Sequence, residues 1–331
     1  MTAAADRALL RVEELSVRLA SPGGVVRAVD RVSLSLERGK TLALVGESGS
    51  GKSMLCRAIL GVLPGHAGSE GRIVFEGRDL ARLPQRERNA VRGREIGVVL
   101  QNPMSSLNPV LKLGRQIAEP MLLHLGLPAR QARERSVELM GAVGIPRPEE
   151  RVDCYPHQLS GGMCQRVAIA IALACDPKLL IADEPTSALD VTVQAEILNL
   201  LGRLQRERQM ALLMVSHDLA LVAGRAHQTA VMYGGRIVER APTVELFERM
   251  RMHYTQALFD AIPRIDDPPH RHLRAIAGQP PDLAAAPGGC PFAPRCPRAE
   301  ERCSSQEPPL VPDLSEEHRY ACWFPLPEER P

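Results

Sequence analysis

The sequence predicts an α/β fold, in which a mostly parallel sheet is covered by helices. Short apolar runs such as "TLALV" and "LLIAD" alternate along the 331 residues with segments whose apolar residues recur three and four apart. Both runs lead directly into glycines or carboxylates, as is typical of buried strands that end in functional loops. A hydrophobic share of 44% and a charged share of 24% are ordinary globular values, so composition names no function.

The elements follow in a regular order. Residues 11–45 alternate apolar and polar around the turn "SPGG", which predicts paired strands and then the buried strand "TLALV". We predict further strands at "RIVFEGRDL", "IGVVLQ", "LLIAD" and "ALLMVS", and a hairpin at "TAVMYGGRIVE". Helical spacing marks "LGRQIAEPMLLHL", "ARQARERSVELMGAVG", a small-residue helix at Val167–Ala174 and a helix from Asp190. The helices from Pro103 to Gln158 are predicted to form an insertion into the sheet.

The end of the chain has a different character. Fifteen of the 28 prolines lie between Pro263 and Pro331, and the segment is nearly devoid of strand or helix periodicity. Such a segment cannot build a core from its own side chains, so if it is ordered, something else must hold it.

An eight-residue loop carries the strongest motif. "GESGSGKS" matches G-x-x-x-x-G-K-[ST] and lies between a predicted strand and a predicted helix. Its backbone N–H groups are expected to bind phosphate, Lys52 to reach the outer phosphates and the Ser53 hydroxyl to ligate Mg²⁺. The predicted ATP-binding residues of this loop are Gly46, Glu47, Ser48, Gly49, Ser50, Gly51, Lys52 and Ser53.

Two later motifs supply the rest of a hydrolytic site. "LLIADE" is a buried strand that ends in Asp183, expected beside Mg²⁺, and Glu184, expected to polarise the attacking water. "LSGGM" begins a helix at Ser160, Gly161 and Gly162, which suits a second anion. Two phosphate cradles in one chain favour a head-to-tail dimer, in which the cradle of one chain closes over the nucleotide of the other.

The motifs "GESGSGKS", "LQNP", "QLSGG", "LLIADEPTSALD" and "MVSHDL" in this order resemble the nucleotide-binding cassette of ABC transporters. The resemblance implies a P-loop cassette with a mixed-sheet core, an antiparallel β subdomain and an inserted helical subdomain at about 103–158. We expect the cassette to span residues 1–262, followed by a C-terminal extension at 263–331. The resemblance also implies that Gln101 reaches Mg²⁺, that Asp190 lies in the loop between two cassettes and that His217 contacts the γ-phosphate.

The segments "QNPMSSLNP", "YPHQLSGGM", "HYTQALFDAIP" and "GGCPFAPRCP" look like the dipeptide and oligopeptide uptake branch of these transporters. This resemblance implies an importer ATPase on the cytoplasmic face of the membrane. The expected partners are two permease subunits, a second, related cassette chain and an external solute-binding protein, with no nucleic acid. Nickel complexes or glutathione are alternative solutes, and a soluble ATPase or a cluster-based sensor are alternative functions.

The chain departs from many cassettes in one respect. They stack adenine on an aromatic residue upstream of the phosphate loop, but the first aromatic residue here is Phe75. Arg27, just before the strand "AVDRVSLSL", is our candidate to stack its guanidinium on the base.

Half of the eight cysteines lie in the proline-rich extension, at Cys290, Cys296, Cys303 and Cys322. The N-terminal residues "MTAAADRALLRVEELS" lack the basic head and apolar run of a secretory signal, so we expect a cytosolic protein with reduced thiols and no disulfides. Four thiolates suit an iron–sulfur cluster, and their spacing is not the paired C-x2-C of most structural zinc sites. The resemblance implies a 4Fe–4S cluster on these four residues; zinc and unligated thiols are the alternatives.

Overall fold

The computed structural model describes residues 8–22, 24–102, 106–187, 189–263, 275–284 and 288–327. The chain forms two compact units. The first unit comprises Met1–Leu9, Leu36–Lys40 and Arg82–Met214, and the second comprises Leu10–Ser35, Thr41–Ala81 and Val215–Pro331, in each case as far as those residues are described.

The strands are β1 (Ala8–Ser21), β2 (Gly24–Glu37), β3 (Thr41–Val45), β4 (Ala67–Phe75), β5 (Arg78–Asp79), β6 (Ile96–Val99), β7 (Leu179–Asp183), β8 (Ala211–Ser216), β9 (Gln228–Tyr233), β10 (Arg236–Pro242), β11 (Val311–Pro312) and β12 (Arg319–Tyr320). The helices are α1 (Lys52–Leu60), α2 (Gln85–Arg94), α3 (Leu113–Leu125), α4 (Ala129–Ala142), α5 (Pro148–Arg151), α6 (Gly161–Ala172), α7 (Val191–Arg208), α8 (Thr243–Glu248), α9 (His253–Asp260) and α10 (Glu301–Ser305). The predicted α/β alternation is confirmed.

The first unit is built on parallel strands. β6 pairs in parallel with β7, with Ile96 opposite Leu179, and β8 is the other neighbour of β7. Every residue of β7 is buried, which explains its continuous apolar run. α3 and α4 pack on each other and on α6. α3 covers the predicted segment "LGRQIAEPMLLHL" from its first residue to its last.

The second unit contains antiparallel and mixed pairings. β4 pairs antiparallel with β1 and with β5, and β2 is the outer neighbour of β1. Elsewhere in the unit β3 lies parallel to β9, and β10 returns antiparallel to β9. The five residues of β3 are all buried, so the phosphate loop that follows it begins from a rigid base.

The described part of the C-terminal extension contains a 3-10 helix at Ala293–Arg295 and three further short elements, none of which its sequence predicts. α10 spans five residues, and β11 and β12 span two residues each. β12 pairs antiparallel with β10, so that Glu239 lies opposite Tyr320, and β11 adds to the outside of β12. Elements this short show no periodicity, because a strand of two residues has no repeat. Among the described residues, no helix has both the length and the apolar character to cross a bilayer.

Candidate functional site

The phosphate loop connects β3 to α1 in the second unit. Gly51, the residue before α1, has φ 104°, a left-handed conformation that glycine adopts without strain. A Cβ atom there would lie 2.1 Å from the Ala28 carbonyl oxygen, and one on Gly46 would lie 2.1 Å from the Met232 carbonyl oxygen. Both positions therefore require glycine, which fixes the direction of the loop against β2 and β9.

Lys52 lies at the centre of this loop. Its side chain is buried, and its Nζ donates to the carbonyl oxygens of Gly46 at 2.7 Å and Glu47 at 2.8 Å. A third contact joins Nζ to Ser50 Oγ at 3.3 Å. The loop therefore wraps around a fixed positive charge at the start of a helix, which is the arrangement that binds phosphate. Ser53 follows it on the first turn of α1.

In the first unit the structure brings Gln101 and Glu184 together. Glu184 follows β7 directly, and its Oε2 accepts a hydrogen bond of 2.8 Å from Gln101 Nε2. Ser187 Oγ donates to the Gln101 carbonyl oxygen at 2.5 Å, which ties the two loops a second time. Asp183, the last residue of β7, is buried, with 9% of its surface exposed. The two carboxylates thus leave the same strand end in different environments.

Ser160 is the N-cap residue of α6. Its Oγ accepts a hydrogen bond of 3.4 Å from the backbone N–H of Met163. Ser160 and Gly161 are exposed, whereas Gly162 lies against α7, where a Cβ atom would approach Val193 to 2.7 Å. The helix N-terminus is thus available at the surface, and its third small residue is required by packing.

The remaining predicted residues occupy surface positions. Asp190 caps α7, with its Oδ1 accepting from the Val193 N–H at 3.0 Å, so it has a structural role besides the predicted one. His217 follows β8 in the second unit and is exposed. Arg27 is exposed on β2, and its backbone N–H donates to the Leu283 carbonyl oxygen at 3.0 Å.

The four cysteines of the extension line one cavity in the second unit, together with Met252, His253, Phe292, Ala293, Arg298, Trp323 and Phe324. All four are free thiols. Within the described parts of the chain, no three or more His, Cys, Asp or Glu side chains form a group placed to hold a metal ion. The predicted cysteines are therefore brought together around a common space without forming a closed single-ion site.

Burial controls the ionisation of these thiols. It raises the pKa of Cys290 and Cys296 above the ordinary value, and it raises the pKa of Cys322 to about 11. Backbone N–H groups oppose this effect, because each hydrogen bond to sulfur favours the thiolate. The donors include the residue two positions after each cysteine, namely Phe292, Arg298 and Phe324, and Ala293 is a second donor to Cys290.

Sequence reasoning did not identify the residues outside the phosphate loop that contact it and hold it in place. Arg295 of the extension makes an ion pair with Glu47 of the loop, at 2.6 Å from Nη1 to Oε2. The Glu47 backbone N–H donates to Tyr254 Oη at 2.8 Å. Glu47 could have indicated such a residue, because a carboxylate beside bound phosphate is unfavourable unless a nearby cation neutralises it.

Family models match two parts of the chain. The model described as "ABC transporter" matches residues 29–187, and the model described as "Oligopeptide/dipeptide transporter, C-terminal region" matches residues 238–303. An oligopeptide transport ATP-binding protein OppD from Haemophilus influenzae is 46% identical over 96% of this chain and 97% of its own. A dipeptide transport ATP-binding protein DppD from Escherichia coli is also 46% identical, over 96% of this chain and 97% of its own.

The chain belongs to the oligopeptide/dipeptide family of ABC transporter ATP-binding subunits. The resemblance stated from its motifs is therefore confirmed. Solved structures agree with the fold of this ABC subunit. A dimeric ATP-binding cassette, MJ0796, bound to ADP and Pi, matches with a TM-score of 0.63 at 26% identity, covering 71% of this chain and 98% of that one. CbiO1 from Clostridium perfringens, part of the ABC transporter complex cbiONQ, also matches with a TM-score of 0.63, at 30% identity over 73% and 91%.

Proposed function

We propose that this ABC subunit hydrolyses ATP to power the import of oligopeptides or dipeptides through a membrane transporter. The names of its relatives support the solute class, and the family supports the ATPase activity. The observation that carries hydrolysis, beyond simple binding, is the 2.8 Å hydrogen bond that holds Glu184 through Gln101. A protein that only bound ATP would need no carboxylate held in this way.

The residues divide the reaction among them. Lys52 and the loop N–H groups bind the phosphates, while Ser53, Gln101 and Asp183 are proposed to hold Mg²⁺ directly or through water. Glu184 accepts the proton of the attacking water, and His217 contacts the γ-phosphate. Mg²⁺ supplies charge neutralisation between the phosphates when it is bound.

The exposed N-terminus of α6 supports a second part of the proposal. Ser160 and Gly161 are accessible, and the relative MJ0796 is a dimer. We therefore propose that these residues complete the nucleotide site of a second, related cassette chain, while Asp190 lies in the loop between the two cassettes. Two permease subunits and an external solute-binding protein complete the importer, and this chain lies on the cytoplasmic face of the membrane.

Reconstitution of the purified transporter tests this function. In proteoliposomes we expect peptide uptake that requires ATP and Mg²⁺, and replacement of Ser160 by Arg should abolish it because the large side chain blocks the opposing nucleotide. Ser106→Arg, also on an exposed serine of the first unit, is the matched control and should retain uptake. Full hydrolysis by a strictly monomeric chain, indifferent to Ser160→Arg, would contradict the two-cassette site. Uptake of nickel complexes or glutathione instead of peptides would contradict the proposed solute class and support one of these alternatives.

We propose further that Arg27 stacks on adenine. The Ala28 carbonyl lies against Gly51 of the phosphate loop, so β2 brings Arg27 close to the bound nucleotide. Arg27→Ala should weaken MgATP binding about five-fold, as expected for a lost cation–π contact of about 1 kcal/mol. The affinity measured by calorimetry checks this, and an unchanged value would remove the role.

A 4Fe–4S cluster on Cys290, Cys296, Cys303 and Cys322 is the cofactor that we propose for the extension. Three observations support it: the four thiols share one cavity, apolar side chains line it, and backbone N–H groups point at three of the sulfurs. A bound cluster would supply covalent cross-links to a segment that has little core of its own.

Metal analysis of anaerobically purified protein tests the cofactor. We expect about four irons and four sulfides per chain, with a visible absorption that bleaches on reduction. Cys296→Ser should lose most of the iron, whereas Cys154→Ser, outside the cavity, should retain it. Colourless protein with one zinc per chain would support the alternative ion, and metal-free protein would leave the cysteines as unligated thiols.

A further inference from the structure

The carboxylate of Glu47 is the unusual feature of the phosphate loop. The side chain of Glu47 is only 25% exposed, and its carboxylate accepts two hydrogen bonds from the guanidinium of Arg295. The distances are 2.6 Å from Nη1 to Oε2 and 3.0 Å from Nη2 to Oε1. This is a bidentate pair, which fixes orientation as well as distance.

Arg295 uses all of its five N–H donors. Besides the two to Glu47, it donates from Nη1 to Tyr233 Oη at 3.2 Å, from Nη2 to the Ile276 carbonyl oxygen at 3.2 Å and from Nε to the Ala277 carbonyl oxygen at 2.8 Å. Its side chain is only 3% exposed. A guanidinium with every donor satisfied is held rigidly. Arg295 therefore connects the extension, the end of β9 and the phosphate loop as one fixed link.

The backbone of Glu47 is held from the same side. Its N–H donates to Tyr254 Oη at 2.8 Å, and the Tyr254 ring packs on Tyr233 and Phe292 at centroid distances of 4.3 and 5.3 Å. Phe292 belongs to the extension and is 1% exposed. We call Tyr233, Tyr254, Phe292 and Arg295 the anchor cluster. Two of its four members come from the extension, and they act on both the side chain and the backbone of one loop residue.

A phosphate loop binds by presenting several N–H groups in fixed directions. Each degree of freedom removed before binding lowers the entropy lost when the nucleotide is ordered. The anchor cluster removes freedom at Glu47, which directly follows Gly46 and contributes one of the carbonyls that hold Lys52. A displaced Glu47 would therefore also displace the lysine that is proposed to reach the outer phosphates.

We propose that Arg295 is a positioning residue of the nucleotide site, through which the C-terminal extension sets the affinity of the phosphate loop for MgATP. This rests on the proposed function in one respect, that the loop binds ATP. Arg295 touches no phosphate; it acts through Glu47. Lysine cannot replace it, because a single ammonium cannot make a bidentate contact and reach three further acceptors.

Calorimetric titration of the full-length chain with MgATP tests the proposal, because it separates affinity from the fraction of binding-competent protein. Arg295→Gln and Glu47→Gln should each raise the Kd about ten-fold, equivalent to about 1.4 kcal/mol, with unchanged stoichiometry. The double variant should raise it no further, since either change alone breaks the pair. Arg295→Lys should recover less than half of the lost affinity. Arg302→Ala removes a guanidinium from the same extension, where its partners are Gln306 and Trp323, and should bind like the parent chain.

Two results would overturn the proposal. The first is an unchanged Kd in both Arg295→Gln and Glu47→Gln. The second is a lower stoichiometry at constant Kd, which would mean that Arg295 only stabilises the fold. Lys52→Ala distinguishes this failure from failure of the proposed function: it should abolish binding, and if it does not, the loop is not the nucleotide site and both proposals fall.

Discussion

Within the second unit, the segments up to residue 263 (the cassette part) and the described segments from residue 275 onward (the extension) become ordered in different ways. The cassette buries continuous apolar runs, as in β3, where all five residues are buried, and in β9, where five of six are. The extension places a few large or polar side chains into sites that the cassette supplies. Phe292 fills a space beside Tyr233 and Tyr254, and His318 enters a polar site beside β10.

The His318 site shows how far the extension depends on the cassette. His318 and Glu239 of β10 are both completely buried, and His318 Nε2 lies 3.0 Å from Glu239 Oε1. Its Nδ1 lies 3.3 Å from Glu245 Oε1. A buried carboxylate costs free energy unless it has partners, and Glu239 also accepts the backbone N–H groups of Arg251 and Met252. The extension therefore covers Glu239 where β12 pairs with β10, and through His318 it supplies this buried carboxyl group with a further partner.

The order of the chain and its proposed chemistry therefore depend on different residues. The residues that are proposed to perform hydrolysis all lie in the cassette, whereas the extension contributes order and, through Arg295, loop position. Variants of the two regions should therefore lose different properties: hydrolysis in the cassette, and stability or MgATP affinity in the extension.

Glu184→Gln should give the largest effect. A general base contributes about 100- to 10,000-fold to a rate, so ATP hydrolysis by the assembled transporter should fall at least about 100-fold. Glutamine keeps the size of the side chain and can still bond Gln101, so MgATP affinity should be unchanged. Phosphate release measures the rate and calorimetry the affinity. If a variant of the extension lost ATP hydrolysis to the same degree while retaining its MgATP affinity, the extension would also take part in the chemistry, and the proposed division between the two regions would be wrong.

His318→Ala should destabilise the extension by about 3 kcal/mol, because it removes a partner from a buried carboxylate. Trp323, the single tryptophan, lies in the extension, where its Nε1 donates to the Gln306 carbonyl oxygen at 3.0 Å. In urea its fluorescence should therefore change at lower concentration than far-UV circular dichroism, which mainly reports the cassette.

His66→Ala is the matched control, since His66 is an exposed histidine of the same unit. It should leave both transitions in place. If His318→Ala shifts the two transitions together by the same amount, then the extension and the cassette unfold as one cooperative body, and the proposed dependence runs in both directions.

Asp190→Ala should cost about 1 kcal/mol, the usual value of a lost helix N-cap. Asparagine also accepts the Val193 N–H, so Asp190→Asn should retain the stability and isolate the role of the charge. Thermal unfolding measures the first effect and ATP hydrolysis by the transporter the second. A stable Asp190→Asn variant with reduced hydrolysis would support the role between cassettes, and full activity would leave Asp190 with only its cap.

How much of this could be predicted depends on distance along the chain. The phosphate loop is contained in eight consecutive residues, so its glycines, Lys52 and Ser53 follow from the motif. α3 matches its predicted segment because its apolar residues recur over several helical turns, and β3 matches because all five of its residues are buried. The predicted small-residue helix ends two residues too late, because α6 stops at Ala172 while the apolar residues continue to Ala174.

The contacts between the extension and the cassette could not be predicted. Arg295 and Glu47 are 248 positions apart, and no periodicity connects them. β12 is two residues long and exists because β10 offers it an edge, not because of its own sequence pattern. His318 gave no signal either, because a lone histidine in a polar segment looks the same whether it is exposed or buried.

The smallest effect is expected for Arg130→Ala on α4. Arg130 Nε lies 3.0 Å from Glu134 Oε1, one helical turn away, and the two side chains are 89% and 60% exposed. Exposed pairs at this spacing contribute about 0.3–0.5 kcal/mol, so the variant should unfold within about 0.5 kcal/mol of the parent chain, and added salt should reduce the difference further. Arg130→Ala thus gives the stability change expected when an exposed charged contact is removed. If it destabilised the chain as much as His318→Ala, burial would not explain the stability that the polar contacts of the extension contribute.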